Sequence, residues 1–112
     1  MSDDCVFCKI IAGEIPSPRV YEDDKMIAIN DLAPAAPVHV LLMPKEHTLN
    51  VTTATPELLS YMLSKVKIIA EKTGIAEKGF RLVINTGDEG GQSVKHLHIH
   101  LIGGKVLGWP PC

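Results

Sequence analysis

The segment Lys95-His96-Leu97-His98-Ile99-His100-Leu101 changes character at every residue, with three histidines on one phase and three aliphatic residues on the other. Side chains alternate faces only along an extended chain. The pattern therefore predicts a β-strand that sends Leu97, Ile99 and Leu101 into a core and stands His96, His98 and His100 in a row on the opposite face. At about 3.3 Å of rise per residue, neighbouring imidazoles sit roughly 6.6 Å apart. Packing gives no reason for three histidines in strict alternation; the competing reading is a solvated face rich in histidine. One metal ion does not explain the row, because its outer members lie about 13 Å apart whereas a Zn–N bond is about 2.1 Å.

Immediately upstream, Gly90-Gly91-Gln92-Ser93 lets the main chain run close to a ligand and present N–H groups and a hydroxyl to an anion. A Gly-Gly pair alone marks a turn. Beside the histidine row, it places phosphate donors next to nucleophiles and proton carriers. Here the chain resembles the histidine triad (HIT) superfamily, whose signature His-x-His-x-His followed by apolar residues is met by His96 to Ile102. Cys8-Lys9-Ile10-Ile11-Ala12-Gly13-Glu14-Ile15-Pro16, Asp31-Leu32-Ala33-Pro34, Met43-Pro44-Lys45-Glu46-His47, the Gly90 to Ser93 loop and Trp109-Pro110-Pro111 are similar to the nucleotide-binding, phosphoramidase branch. The likeness thus extends over nearly the whole chain.

The chain has 112 residues, the size of one domain over 1–112 with a tail at 105–112, and buries roughly two-thirds of its unfolded surface, so dimerisation would supplement a small core. A net charge of −2, from 11 basic and 13 acidic side chains, gives no basic face for long nucleic acid. No apolar run approaches about 18 residues, and Met1-Ser2-Asp3-Asp4 is acidic without an apolar signal region, so a cytoplasmic protein off the membrane is expected. Three cysteines, an odd number, argue against a disulfide framework, with Cys112 an incidental terminal thiol.

Val6, Phe7, Ile10 and Ile11 recur at helical spacing and Gly13 and Pro16 stop the run, which predicts a short helix. Residues 19–22 and 26–30 read as a hairpin closed by Asp23-Asp24-Lys25. Asp31 suits either an Asx turn ahead of Pro34 or a grip on a ribose diol. Val38 to Met43 reads as a buried strand in which His39 needs a partner. Thr55-Pro56-Glu57 caps a long helix whose stripe is Leu59, Met62, Leu63, Val66, Ile69 and Ala70, with Gly74 at its end. A strand from Phe80 to Ile84 delivers Asn85, and Gly103-Gly104 breaks pairing after the histidine strand. This order predicts an α+β fold: a five-stranded antiparallel sheet with one long and one short helix packed to one side. Two prolines after Trp109 leave its indole displayed. Cys5 and Cys8 are either reduced thiols on a helix or half of a Cys2His2 quartet that His47 and His96 would complete.

The resemblance implies more. His98 is the nucleophile that attacks the phosphorus of a purine nucleoside monophosphate joined to an amine, with His96, His100, Ser93 and His39 supporting it. Phe7, Ile10 and Ile15 form a slot for the purine. Asp31 and Leu32 lie at the ribose, and Asn85, Gly91, Gln92 and Ser93 at the ribose and phosphate. Trp109 contributes to the partner subunit's site in a homodimer whose sheets run together. Catalysis needs no cofactor, and zinc held by Cys5, Cys8, His47 and His96 would be structural. Alternative activities are dinucleoside polyphosphate hydrolysis or nucleotide-dependent partner binding without turnover.

Overall fold

The computed structural model describes residues 5–111; the acidic start Met1 to Asp4 and the terminal Cys112 lie outside the described residues. Five strands run β1 Arg19–Glu22, β2 Met26–Asn30, β3 Val38–Pro44, β4 Phe80–Val83 and β5 Ile99–Gly103, and three helices run α1 Val6–Ile11, α2 Pro56–Ser64 and α3 Val66–Thr73. They form one sheet in the order β1-β2-β3-β5-β4 with every neighbouring pair antiparallel. The α+β expectation holds.

Alternation sorts the sheet into two cores. Met26 and Ala28, Val40 and Leu42, and Leu97, Ile99 and Leu101 pack with Met62, Val66, Ile69 and Ala70 of the C-terminal helices. The intervening Ile27, Ile29, Leu41 and Met43 pack instead with Cys5, Phe7, Cys8 and Ile10. Helices therefore cover both faces, which corrects the expectation that they pack to one side. The central strands are apolar on both phases, as strands buried on two faces must be.

α1 begins at Cys5, whose Sγ accepts the Cys8 N–H at 3.2 Å in the manner of an N-cap. Its last carbonyls are met by a side chain that sequence reading passed over: Arg19 donates to the Ile10 carbonyl at 2.9 Å and to the Ser17 carbonyl at 2.8 Å. The expected long helix is broken at Lys65, whose N–H bonds the Met62 carbonyl at 3.1 Å in a tighter turn, dividing it into α2 and α3. That turn resets the helical phase, and Leu63 stands 47% exposed outside the core. Thr55 caps α2 through the Leu58 N–H, and Gly74 ends α3 at φ +81, a left-handed conformation that glycine adopts without cost.

Asp23 ties the hairpin turn to α2. Its Oδ2 accepts from Tyr21 at 2.7 Å and Tyr61 at 2.6 Å, while Oδ1 accepts the Lys25 and Met26 N–H groups. Burial opposes ionisation of this carboxyl, yet the four donors outweigh it and hold the group below the usual carboxylate range. The Tyr61 phenol, donating to the Asp23 carboxylate, is pushed up to about 12.

Asp23→Ala should lower the free energy of urea unfolding at neutral pH by about 1–2 kcal/mol, the low part of the range for charged hydrogen bonds because solvent screens the site. A depressed folded-state pKa contributes stability above the unfolded value of about 3.9 and loses it below. The difference between variant and wild type should therefore narrow as pH falls under about 4. A constant difference from pH 7 to pH 3 would contradict the assignment.

Candidate active site and the Cys/His cluster

The strand begins three residues after the first histidine of the alternating row: pairing starts at Ile99, and His96 and His98 lie in the segment that leads into β5. The reason is a main-chain partner outside the sheet, since the Leu97 N–H bonds the Thr48 carbonyl at 2.8 Å. The two-residue alternation persists regardless. Leu97, Ile99 and Leu101 all enter the core beneath α2 and α3. The imidazoles face the α1 side, where Phe7 meets the His96 and His98 rings edge-on with centroids 5.9 and 5.0 Å away. His98 and His100 are 5.1 Å apart, His39 and His100 again 5.1 Å, and His47 and His96 4.9 Å. The five histidines thus form two groups, His47 with His96 and His98 with His100 and His39, and the Phe7 ring bridges them.

His98 Nδ1 lies 2.8 Å from the His96 carbonyl oxygen. A carbonyl only accepts, so Nδ1 carries the proton and Nε2 is left with its lone pair. Nε2 makes no hydrogen bond to any described residue, and the side chain keeps 6% of its surface open. His100 is half-buried, and its pKa is lowered to about 4, by burial first and then by the neighbouring His98 and His39, with Asp31 acting in the opposite sense.

His96 cannot touch a substrate, because it is fully buried. Its carbonyl oxygen faces His98 Nδ1, and its ring belongs to a separate cluster. His96 Nε2 donates to the Pro44 carbonyl at 2.9 Å, leaving the Nδ1 lone pair aimed at Cys5 Sγ (3.4 Å), Cys8 Sγ (3.6 Å) and His47 Nδ1 (3.2 Å). Cys8 Sγ is 3.1 Å from His47 Nδ1. Burial, followed by the nearby His47 and His98, holds His96 below its ordinary pKa, against the opposing pull of the Pro44 carbonyl. The donor set fits zinc. Around a tetrahedral ion with Zn–S about 2.3 Å and Zn–N about 2.1 Å, ligand edges come to about 3.4–3.8 Å. Two soft thiol sulfurs and a neutral, carbonyl-oriented imidazole are the donors and outer support such a centre takes.

The second cluster, Asp31, His39 and His100, has the opposite character. The Ala35 N–H donates to His39 Nδ1 at 3.0 Å, and His39 Nε2 is 2.8 Å from His100 Nδ1. These bonds run head to tail, as hydrogen bonds do, whereas lone pairs converge on a metal. His39, buried in an apolar strand, is satisfied at both nitrogens. Asp31 makes the Asx turn that its place before Pro34 suggests, Oδ1 accepting the Ala33 N–H at 2.8 Å, while Oδ2 lies 3.4 Å from His39 Nε2. Leu32 beside it is fully exposed.

The expected phosphate loop divides. Ser93 is exposed, and neither its N–H nor its hydroxyl bonds a described residue. Gln92 is committed within the chain, which corrects its reading as an anion donor. Its N–H goes to the Gly87 carbonyl at 3.1 Å, its amide nitrogen donates to the Leu49 and Val94 carbonyls, and its amide oxygen accepts from Gly87 and Asn50. Gly91 takes φ +78, and a Cβ on Gly90 would collide with the Thr86 carbonyl oxygen, so the two glycines are needed by the loop itself. Asn85 closes the same loop by donating to the Gly90 carbonyl at 2.8 Å. Phe7 and Ile10 are each under a tenth exposed and pack in the α1 core, and Ile15 is half-buried at its margin. Trp109 is 80% exposed, held 6.0 Å from the Arg81 guanidinium, which also bonds the Gly108 carbonyl at 2.7 Å.

Asn50 carried no sequence signal beyond a polar residue in a loop. It is buried, bonds Gln92 through its amide nitrogen and binds Thr52 through its oxygen.

A HIT domain model matches residues 12–107. The chain belongs to the HIT family. The HIT architecture is matched by a HIT family hydrolase from Legionella pneumophila Philadelphia 1, with TM-score 0.93 and 43% identity over 97% of this chain and all of that one. Among relatives of known sequence, a 14 kDa zinc-binding protein of Brassica juncea is 46% identical over 96% of this chain and 99% of its own. The adenylylsulfatase HINT1 of Arabidopsis thaliana is 47% identical over 95% of this chain and 75% of its own.

Asn50→Ala should cost about 1–3 kcal/mol in denaturant unfolding, because it strands the partners of a buried amide. An unchanged midpoint would show that the link from Asn50 to Gln92 does not hold the loop.

Proposed function

We propose that this HIT protein hydrolyses purine nucleoside 5′-phosphoramidates through a nucleotidyl-histidine intermediate. The observation that carries the reading is His98: proton fixed on Nδ1 by the His96 carbonyl, Nε2 unengaged, His100 alongside. Such a ring is the unprotonated nucleophile that attack on phosphorus requires. Nε2 forms a bond to the phosphorus as the P–N bond breaks, and the departing amine takes a proton from a donor, for which the uncommitted Ser93 hydroxyl is suited. Water then attacks the phosphorus, His98 leaves as a neutral ring, and the proton that water gives up restores the donor. The main-chain N–H of Ser93 and the His100 ring stabilise charge on the phosphoryl oxygens. Asp31, with Leu32 beside it, meets the ribose, Asn85 and Gly91 shape the wall near ribose and phosphate, and Ile15 with the margins of Phe7 and Ile10 meets the purine.

The name of the Arabidopsis relative points to a second leaving group, sulfate on the same adenylyl phosphorus. Sulfate departs without a proton and an amine does not, so Ser93→Ala should slow the phosphoramidate more than adenylyl sulfate. Dinucleoside polyphosphates are the remaining substrate to compare, and a binding module without turnover is the non-enzymatic alternative.

The reading includes structural zinc at Cys5, Cys8, His47 and His96, where it would pin α1 to the approach to β5. No step of the reaction passes through it. The reading also includes a homodimer joined at β4, an edge strand whose Phe80 and Leu82 stand 37% and 38% exposed, with Trp109 displayed beside it.

Rapid quench with an AMP phosphoramidate should yield an intact-mass adduct of one adenylyl group. His98→Ala should lose both the adduct and on the order of 10³-fold or more in turnover while still binding AMP. A variant that cleaves at the wild-type rate would overturn the nucleophile. Purified protein should carry stoichiometric zinc, and after exchange for cobalt should show a thiolate-to-metal absorption that Cys8→Ser removes. Metal-free protein with unchanged thermal stability would remove the zinc assignment.

A further inference from the structure

The hydrogen bonds behind His100 run in one direction, and their origin is a main-chain group that cannot reverse. The Ala35 N–H is a donor under all conditions, so His39 Nδ1, 3.0 Å away, is an acceptor and the proton of His39 sits on Nε2. That proton points at His100 Nδ1, 2.8 Å away, which must then be unprotonated, so the proton of His100 sits on Nε2. Asp31 Oδ2, 3.4 Å from His39 Nε2, further favours a proton at that atom.

We propose that His39, set by the Ala35 main chain, is a positioning residue that fixes His100 as the Nε2–H tautomer, a neutral hydrogen-bond donor to a phosphoryl oxygen and not the acid that protonates the leaving group. The inference rests on the phosphoryl-transfer reading of the site. Its logic is a count of protons along the chain of groups. If His100 gave up its Nε2 proton, its ring would become an anion unless a proton entered at Nδ1. The only group there to supply one is His39, which would become an anion in turn, because its Nδ1 is held by an N–H that does not move. The Asp31 carboxylate is an acceptor. The chain therefore polarises His100 without having a proton to give. Burial of the His100 ring, which disfavours the charged form, acts in the same direction. The proton for the leaving amine must then come from another donor, for which the uncommitted Ser93 hydroxyl is suited.

The decisive measurement is long-range 1H–15N correlation on the full 15N-labelled chain at neutral pH, with no substrate present. Both His39 and His100 should show an unprotonated Nδ1 and a protonated Nε2 as fixed tautomers, and the His100 Nε2–H resonance should move downfield on adding AMP. A protonated Nδ1 or a tautomer average at His100, or an Nε2–H indifferent to AMP, overturns the proposal. None of these results depends on turnover, so they stand even if phosphoramidates prove not to be substrates. Two variants test the function. His39→Gln keeps an N–H for His100 Nδ1 but cannot relay protons, and should lose clearly less of kcat than a variant without that donor. His39→Phe removes that donor, and should lower kcat roughly tenfold with little change in KM, the worth of about one neutral hydrogen bond. A His39→Gln variant as impaired as His39→Phe would mean that protons do pass through His39, and the proposal fails.

Discussion

The antiparallel pairing of β3 with β5 is the constraint on which this molecule depends. It sets Leu41 opposite His100 and His39 opposite Ile102, and with strict two-residue alternation it sends Val40, Leu42, Ile99 and Leu101 into one core and Leu41 and Met43 into the other. A slip of one residue would drive three imidazoles into the apolar layer under α2 and α3 and turn Leu97, Ile99 and Leu101 toward the ligand side. The cost of burying unpartnered rings and exposing three aliphatics would far exceed the few kcal/mol by which small domains are stable. The register that builds the core is thus the same register that builds the site.

That face then holds two clusters with the same residue type and opposite purposes, told apart by the direction of their hydrogen bonds. At Cys5, Cys8, His47 and His96 the lone pairs converge, and the outward nitrogen of His96 is fixed by a carbonyl. At His39 and His100 each donor meets an acceptor, beginning from a main-chain N–H. Composition cannot distinguish these cases, and distance alone barely does. Polarity does, because sulfur and nitrogen atoms that converge on one point suit a cation, whereas a head-to-tail chain of hydrogen bonds is already satisfied.

Much of this was legible in the sequence. Alternation at residues 95–101, the Thr55-Pro56 cap and the Gly74 stop each have a local cause; the cap and the stop appear where that cause places them, and the alternation sorts the faces correctly although the paired strand starts only at Ile99. What could not be read depends on partners distant along the chain. The break at Lys65 has no glycine or proline to announce it. Arg19 is an ordinary strand residue until it meets the carbonyls at the end of α1. Gln92 lies in the loop that looks fit to bind phosphate, but its amide reaches Leu49 and Asn50, more than forty residues away, and is used up there. The helix on the second face escaped for the same reason: α1 is short and amphipathic, and nothing in it says which side of the sheet its stripe will meet.

His96 joins the two clusters physically. Its ring is buried among sulfurs and anchored to Pro44, while its carbonyl receives the Nδ1 proton of His98. Rotating that peptide would weaken the bond that keeps the His98 lone pair on Nε2, and what resists rotation is the burial of the His96 side chain and its bond to the Pro44 carbonyl. His98, just outside the regular strand, would otherwise have its ring turned mainly by one hydrogen bond worth about 1 kcal/mol. The Cys/His cluster supplies rigidity from behind, through covalent geometry and without any contact with substrate. This gives a physical reason for the Cys/His cluster to sit two residues from the histidine proposed as the nucleophile.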